Sequence, residues 1–268
     1  MNLQIQELAT GPAPTASLIV LHGLGADGSD FVPFCRELDF SGVPGLGADG
    51  GLRFVLPSAP VMPVSLNGGH EMPAWYDILP VPHSDAPSAP RREDEASLRR
   101  AQGWIDSLVQ REIDRGIPSE RIVLMGFSQG CAMTLMAGLR NPHRLAGLIA
   151  LSGYLPLLDT TAAERHPANQ HTPIFMAHGD ADDVVVPARG AAARDHLRGL
   201  GYAVDWHTYP MAHSLCMEEV ADINGWLVGR FTSPPANARS PSSDPTKRRP
   251  HRRSGPRAQT RLDHAPRQ

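Results

Sequence analysis

Short runs of large apolar residues alternate with longer polar or amphipathic segments over residues 1–232. Continuous apolar runs of about four to eight residues are typical of strands that are buried on both faces of a parallel sheet. Six runs predict such strands, at 17–21, 52–56, 121–125, 145–151, 173–177 and 203–209. Segments with helical spacing lie between most of them, so the pattern predicts an α/β chain with a mostly parallel central sheet and helices on both faces.

The clearest helix is predicted over 94–115, where Leu98, Ala101 and Ile105 recur at helical spacing. A short helix is predicted at 30–38, with Asp30 as its N-cap. Further helices are predicted at 131–139, at 187–200 and from the last strand to about 228.

Two other segments lack a clear period. Residues 57–92 are rich in proline and are predicted to form one long loop, which in a compact domain is usually functional or mobile. This loop contains Trp75 and Tyr76, whose rings either wall a pocket or pack in the core. Residues 152–172 are too few to fold independently, so we expect an open site without a large cap domain.

The chain has 268 residues, of which 41% are apolar, so it is long and apolar enough to form one large α/β domain. Its net charge of −3 hides an asymmetry. Residues 233–268 carry 9 Lys/Arg and 2 Asp/Glu, a net charge of +7, which leaves −10 for the rest. The basic segment has many prolines and few large apolar side chains. It is therefore predicted to be a disordered tail that follows a domain at 1–232.

Three features bear on the compartment. No run of about 18 apolar residues is present, so no membrane span is expected. The N-terminal residues lack a basic start followed by an apolar core, so no signal peptide is predicted. The three cysteines, Cys35, Cys131 and Cys216, have no metal-ligand spacing. We therefore expect a reduced, cytoplasmic protein.

The stretch Gly126-Phe127-Ser128-Gln129-Gly130 joins a predicted strand to a predicted helix. This G-x-S-x-G pattern is the nucleophile elbow of serine hydrolases, in which a side chain at either glycine would collide with neighbouring backbone. The turn exposes the Ser128 hydroxyl, and the helix points its positive end at a developing oxyanion. An ordinary glycine-rich turn with an inert serine has the same pattern, so partners for Ser128 decide between the two interpretations.

A serine nucleophile needs a histidine base, and the base needs a carboxylate that fixes its tautomer. His213 follows the last predicted strand, at the junction with the last helix. The loop after the strand at 173–177 offers Asp180, Asp182 and Asp183. The chain order Ser, acid, His is that of α/β hydrolases, and each candidate lies just past a strand end, where α/β sites collect.

A glycine-rich loop at 22–28 follows the first predicted strand. A dinucleotide-binding turn is one interpretation, but the full G-x-G-x-x-G spacing is absent. An oxyanion loop is the better interpretation, with the Leu24 N–H as a candidate donor. His22 and His178 also follow strands; we predict that His22 orients this loop and that His178 supports the turn of the acid.

Six stretches of the chain together resemble one known family. In order they are LIVLHGLGADGSDF, FVLPSAPVMPVSLNGGHEMPAWYD, IVLMGFSQGCAMTL, ALSGYLP, HGDADDVVVP and MAHS, and they lie within residues 17–226. Several distinctive motifs in the right order make the chain similar to the phospholipase/carboxylesterase family, which includes the acyl-protein thioesterases.

The resemblance implies an α/β-hydrolase fold with a catalytic triad. The triad would consist of Ser128, Asp182 and His213, which favours Asp182 over the neighbouring aspartates. The resemblance also implies an oxyanion hole formed by the backbone N–H groups of Leu24 and Gln129.

The resemblance further implies that Trp75 and the loop before it line an acyl groove, and that no metal or organic cofactor is needed. Family members hydrolyse carboxylic esters and acyl thioesters, commonly in the cytoplasm, and some form dimers. We therefore expect a small-molecule ester or an acylated substrate, and a homodimer is compatible with the family. The loop at 41–51 is longer than is usual in the family, and the basic tail is not a family feature.

The expected function is that of a serine carboxylesterase or acyl thioesterase that works through an acyl-enzyme. A dienelactone-type hydrolase or a peptidase of the same scaffold is less favoured, because neither a cysteine nucleophile nor a cap or propeller is evident. An alternative of another class is an inactive hydrolase-fold module whose basic tail contacts nucleic acid or anionic surfaces. A solvated extension explains the tail more simply, so nucleic acid is not expected as a partner.

Overall fold

The computed structural model describes residues 3–46, 50–80 and 92–232. The basic segment at 233–268, which the composition predicts to be disordered, lies outside the described residues. Parts of the two predicted loops, 47–49 and 81–91, also lie outside them. Within the described residues, no helix is long and apolar enough to cross a membrane.

One central sheet organises the described residues. Its strands are β1 (Gln4–Ala9), β2 (Ala16–Leu21), β3 (Leu52–Ser58), β4 (Ile122–Phe127), β5 (Gly147–Leu151), β6 (Ile174–Gly179) and β7 (Val204–Tyr209). The spatial order is β1-β3-β2-β4-β5-β6-β7. Strand β1 runs antiparallel to β3, and all other neighbouring strands are parallel. The prediction of a mostly parallel sheet is thereby confirmed.

Strand β1 was not predicted, because its sequence QIQELA has no continuous apolar run. It lies at the edge of the sheet, where three of its residues are exposed and polar. Ile5 and Leu8 alone are partly shielded and pack against the core. An edge strand that buries so little leaves almost no signal in the hydrophobic pattern.

Helices cover both faces of the sheet, as predicted. They are α1 (Val32–Glu37), α2 (Glu95–Asp114), α3 (Gln129–Arg140), α4 (Leu158–Glu164), α5 (Pro187–Gly199) and α6 (Met217–Thr232). One core contains residues of α2, α3 and α5, and the other contains residues of α1 and α6. Strand β2 divides its side chains between them. Ile19 and Leu21 belong to the first core, whereas Leu18 and Val20 belong to the second.

The predicted helix at 30–38 needs two corrections. A 3₁₀ turn over Gly28–Phe31 comes first, and α1 follows it. The cap is Asp27 rather than Asp30: Asp27 accepts from the Ser29 N–H at 2.7 Å, and Asp30 accepts from the Asp27 N–H at 3.0 Å. Both aspartates therefore form one reciprocal capping box, and sequence spacing alone does not say which of the two begins it.

The segment at 57–92 is more regular than predicted. It contains a β-hairpin of Val61–Val64 with His70–Pro73, and a short pair of Ile78–Leu79 with Arg92–Glu93. The hairpin was missed because each of its four-residue strands contains a proline, Pro63 or Pro73, which argues against a strand in a sequence pattern. In the segment at 152–172, α4 and one 3₁₀ turn are the regular elements. The expectation that no large cap domain is inserted there is confirmed.

Candidate active site

The turn between β4 and α3 has the backbone geometry of a nucleophile elbow. Ser128 occupies it with φ 56° and ψ −115°, a conformation that a residue with a side chain rarely adopts. A side chain at 126 would run into the Gly130 carbonyl, and one at 130 would run into the Leu21 carbonyl. Only glycine at both positions therefore allows β4, α3 and β2 to approach closely enough to present the Ser128 hydroxyl.

Three side chains from separate loops form one chain of hydrogen bonds. Ser128 Oγ lies 2.9 Å from His213 Nε2, and His213 Nδ1 lies 2.7 Å from Asp182 Oδ2. A carboxylate can only accept, so Nδ1 of His213 carries the proton and Nε2 is left to accept from Ser128. Asp180 and Asp183 are exposed and make no such contact among the described residues, so the geometry separates Asp182 from both neighbours.

Asp182 is held in place from two sides. Its Oδ1 accepts from the backbone N–H groups of Val184 and Val185, at 2.9 and 2.8 Å. Buried His178 lies behind it, with Nε2 donating to the Val185 carbonyl at 2.7 Å and lying 3.4 Å from Asp182 Oδ2. This position accords with the predicted support of the turn by His178, and it fixes the carboxylate before any substrate arrives.

The loop at 22–28 is braced by His22. His22 Nε2 accepts from the Ala59 N–H at 2.9 Å, so Nδ1 carries the proton and donates to the Gly23 carbonyl at 2.7 Å. Burial lowers the pKa of His22, which keeps the ring neutral as both contacts require. The next residue, Gly23, lies so near the nucleophile that a Cβ atom placed on it would be 3.4 Å from the Ser128 Cβ. The loop that carries Leu24 is thereby fixed beside the elbow.

Trp75 does not line the groove, in contrast to the expectation from the resemblance. It is completely buried, and its indole N–H donates to the His22 carbonyl at 3.0 Å. Its backbone N–H donates to Gln129 Oε1 at 2.7 Å, while Gln129 Nε2 donates to the Tyr76 carbonyl at 2.8 Å. Trp75 thus supports the loop from behind. Tyr76, and not Trp75, is part of the cavity wall. The sequence showed two adjacent aromatic residues but not which of them lines the cavity.

Leu24 and Gln129 line the same cavity as Ser128 and His213, and each has a backbone N–H group. In the part of the chain that the structure describes, neither N–H donates to another group. Gln129 begins α3, so the dipole of that helix adds positive potential at the same point. These two N–H groups are therefore candidates for the oxyanion hole, which requires free donors beside the nucleophile.

A cavity of about 460 Å³ opens beside Ser128, which falls within the usual size range for small-molecule sites. Its wall is mostly apolar and draws on both cores. One side is contributed by Phe31, Phe34, Phe127 and Leu215, and the other by Leu24, Tyr76, Ile78, Tyr154 and Val185. The cavity therefore draws its wall from both faces of the sheet, and Ser128 is part of that wall.

Two tyrosines join across the wall of this cavity. The hydroxyl groups of Tyr76 and Tyr154 lie 2.7 Å apart, and both side chains are buried. Tyr154 follows Gly153, which packs so closely under the elbow that a side chain would meet Cys131 and the Ser128 carbonyl. Both tyrosines are therefore attached rigidly to the residues around the nucleophile. The sequence contained both residues but gave no sign that they meet.

Fold and site together define the class: a serine hydrolase with the α/β-hydrolase fold. Comparison with known families narrows this. The model of the phospholipase/carboxylesterase family matches residues 5–228. The chain therefore belongs to the phospholipase/carboxylesterase family.

Similar proteins agree with this assignment. Acyl-protein thioesterase 1 of Neurospora crassa is 44% identical over 227 residues, which cover 81% of this chain and 87% of that one. Acyl-protein thioesterase 1 of Yarrowia lipolytica is 38% identical over 218 residues, or 80% of this chain and 92% of that one. Among solved structures, Arabidopsis thaliana SOBER1 superposes with a TM-score of 0.72 at 29% identity, covering 81% of this chain and 99% of that one.

Proposed function

We propose that this chain cleaves carboxylic esters and acyl thioesters with Ser128 as nucleophile, His213 as general base and Asp182 as the group that orients the base. The observation that carries the proposal is the hydrogen-bonded series from Asp182 through His213 to Ser128, at 2.7 and 2.9 Å, which ends at a mostly apolar cavity. A nucleophile, a base and an orienting carboxylate in hydrogen-bond reach are what acyl transfer requires.

In the first half-reaction, His213 Nε2 takes the hydroxyl proton as Ser128 Oγ attacks the acyl carbonyl carbon. The carbonyl oxygen becomes an oxyanion and accepts from the N–H groups of Leu24 and Gln129; one such donor is typically worth about 10²- to 10³-fold in rate. His213 then gives the proton to the leaving oxygen or sulfur as its bond to the acyl carbon breaks. An ester of Ser128 remains.

In the second half-reaction, water takes the place of the leaving group. His213 Nε2 accepts a proton from this water as its oxygen attacks the acyl carbon of the Ser128 ester. The oxyanion forms at the same two N–H groups. The bond to Ser128 Oγ then breaks, the proton on His213 returns to Oγ, and the carboxylic acid leaves.

The cavity supports an acyl group as the part of the substrate that binds most deeply. Apolar and aromatic side chains such as Phe31, Phe34 and Ile78 gain free energy when they cover methylene groups, at about 0.8 kcal/mol per buried CH₂. No large insertion covers the described part of the site, so a bulky leaving group has room outside. The relatives are named acyl-protein thioesterases. We therefore propose that one substrate of this chain is a protein with an acylated cysteine.

The test compares Ser128→Ala with the wild type on p-nitrophenyl butyrate and on an acyl-thioester peptide. We expect the variant to lose at least about 10³-fold in kcat on both substrates, because the nucleophile is absent. It should also fail to react with a fluorophosphonate probe. Ser107→Ala, an exposed serine on α2, is the matched control and should behave as wild type.

Each result has a clear reading. Near-wild-type hydrolysis by Ser128→Ala would remove Ser128 from the mechanism. If the wild type hydrolyses the small ester but not the acyl-thioester peptide, the mechanism stands and the substrates are restricted to small molecules. The alternative of an inactive binding module is not favoured, because Ser128, His213 and Asp182 already have the geometry of a working triad.

The state of the cysteines supports a reducing compartment for this chain. Cys35, Cys131 and Cys216 are all free, and the first two are buried. Burial raises the pKa of the Cys35 thiol to about 12, so it stays protonated and unreactive. Recovery of the native protein in the cytosolic fraction of its own cells would test the proposed cytoplasmic location.

A further inference from the structure

Residues 73–76, here called the bridging segment, lie between the two stretches of chain that carry the candidate oxyanion donors. Leu24 belongs to the loop at 22–28, and Gln129 begins α3. Residues 74–76 of the bridging segment are completely buried. The proposed mechanism gives them no part in the reaction, although they are bonded to both donor-carrying stretches.

The bridging segment is bonded to the chain on both sides of Leu24. The Trp75 indole N–H donates to the His22 carbonyl at 3.0 Å, and the Gly25 N–H donates to the Pro73 carbonyl at 2.9 Å. The Trp75 and His22 rings also lie against each other, with their centroids 5.2 Å apart. The orientation of the peptide groups around Leu24 therefore depends on this segment.

The same segment is bonded to Gln129. Gln129 Oε1 accepts from the Trp75 backbone N–H at 2.7 Å, and Gln129 Nε2 donates to the Tyr76 carbonyl at 2.8 Å. A side-chain amide that accepts with one end and donates with the other is fixed in orientation, and with it the first residue of α3. Trp75 thus has one hydrogen bond to each donor-carrying stretch, one through its ring and one through its backbone.

The two stretches also touch each other directly, through packing. A Cβ atom placed on Gly130 would lie 2.7 Å from the His22 carbonyl oxygen, so the elbow and the loop at 22–28 meet backbone to backbone. Among the described residues, no backbone–backbone hydrogen bond joins residues 22–28 to residues 128–130. Packing brings the two stretches close without aiming them, whereas an N–H group must point at its acceptor to within about 30° for a strong bond. The bridging segment supplies the directional contacts.

We propose that Trp75 is a positioning residue for the oxyanion hole: it holds the backbone N–H groups of Leu24 and Gln129 in one fixed relation, so that both point at the same oxyanion. The inference rests on the proposed role of these two N–H groups. Trp75 itself is completely buried and is not part of the cavity wall, so it acts through them. Donors that are fixed before the reaction need no reorganisation as charge develops. Loss of the Trp75 contacts therefore slows the chemical step and leaves substrate binding almost unchanged.

The first variant is Trp75→Phe, which keeps an aromatic ring in the core but lacks the N–H that bonds the His22 carbonyl. We would measure kcat and KM for p-nitrophenyl butyrate, with active sites counted at the end point of the reaction with a fluorophosphonate probe. We expect kcat to fall about tenfold or more, with KM within about twofold of wild type. Trp104→Phe, on α2 and packed against the same core, is the matched control and should follow the wild type.

The preference for the oxygen ester over its thiono analogue, in which sulfur replaces the carbonyl oxygen, separates positioning from packing. Sulfur is a weak hydrogen-bond acceptor, so the thiono substrate gains little from oxyanion donors. The ratio of the two kcat/KM values, each divided by the rate of hydrolysis by hydroxide in water, should therefore favour the oxygen ester in the wild type. Trp75→Phe should lose that preference by about the same factor as it loses kcat. A defect in packing alone would lower both rates equally and leave the ratio unchanged.

A second variant, Gln129→Met, breaks the other contact and keeps the indole ring. Methionine is unbranched like glutamine, but it cannot accept from the Trp75 N–H or donate to the Tyr76 carbonyl. We expect the same loss of preference for the oxygen ester. Because both variants break the same link, the double variant should lose less in kcat than the product of the two single losses.

The outcomes distinguish this inference from the proposed function. An unchanged ratio in Trp75→Phe with a normal count of titrated sites would overturn the inference; where that count is low, an unchanged ratio in Gln129→Met would do so. A wild type that hydrolyses the ester without any preference over the thiono analogue would remove Leu24 and Gln129 from the oxyanion hole, and Trp75 from its positioning role. A wild type that hydrolyses neither substrate would instead contradict the proposed function.

Discussion

Glu112 and Glu219 are both completely buried, but their surroundings are opposite. Glu112, on α2, lies where β2 and β3 begin, and Ser17 and Arg53 donate to it at 2.6 and 2.7 Å. Arg115 adds a third bond at 3.0 Å. Glu219 lies in the first turn of α6, which follows the carboxyl end of β7 in the chain, and has no such partner among the described residues.

The difference shows how the two edges of the sheet divide their tasks. At the amino edge, a buried charge is fully compensated, which favours one rigid arrangement of α2 on the strands. At the carboxyl edge, polar groups are left unbalanced, as is common where a site must react or respond. We therefore expect substitutions at the amino edge to change stability, and substitutions at the carboxyl edge to change the rate of catalysis.

The largest effect is expected for Asp182→Asn at the carboxyl edge. Asparagine can still accept from the Val184 and Val185 N–H groups, but its amide favours the wrong tautomer of His213. We expect kcat for p-nitrophenyl butyrate to fall about 10⁴-fold, with the Tm almost unchanged. Asp183→Asn, one residue away and exposed, is the control. A loss below about tenfold would show that Asp182 does not orient the base.

The next largest effect is expected for Glu112→Ala at the amino edge. It leaves Arg53 and the Ser17 hydroxyl without their acceptor, and we expect a loss of about 3 kcal/mol in the free energy of unfolding. Urea denaturation measures this, with exposed Asp114→Asn as the control on the same helix. The kcat per titrated active site should remain that of the wild type. A lower kcat with intact folding would contradict the expectation that substitutions at the amino edge change stability and not the rate of catalysis.

The smallest effect is expected for Glu7→Gln, which removes the outer member of the same cluster. A hydrogen bond from Arg115 lowers the pKa of Glu7, so this contact stabilises the fold above the unfolded value near 4.5 and is lost as pH falls through the folded value. About a third of the Glu7 side chain is exposed, so we expect less than about 1 kcal/mol at pH 7. The difference from wild type in urea denaturation should vanish near pH 2; a difference that persists there would have another cause.

The sequence predicted those parts of the fold that depend on strong and local signals. Central strands such as β4 bury both faces and therefore appear as continuous apolar runs. Helix α2 buries one stripe and has a clear cap in Asp94, whose side chain accepts from the Ala96 and Ser97 N–H groups. Edge strand β1 has mostly exposed side chains, and the two short strands of the hairpin in the segment at 57–92 each contain a proline, so the pattern gave little sign of either.

The candidate site was predictable as far as chain order and strand ends determine it. Those features bring Ser128 and His213 to one edge of the sheet, and the family resemblance selected Asp182 from three nearby acids. Which side of a loop faces a cavity depends on packing between segments that are distant in sequence. Local pattern therefore could not show that Trp75 turns inward, or that Glu219 ends up buried without a partner.

The contacts of Gln129 have a consequence for how this site can change. Gln129 lines the cavity beside Ser128, and its side chain accepts from the Trp75 N–H and donates to the Tyr76 carbonyl, on either side of their peptide link. A redesign of the tyrosine wall for a different substrate would therefore disturb the residue whose main-chain amide is proposed to bind the reacting carbonyl oxygen. In the proposed mechanism, the shape of the cavity wall and the stabilisation of the oxyanion therefore depend on one and the same residue.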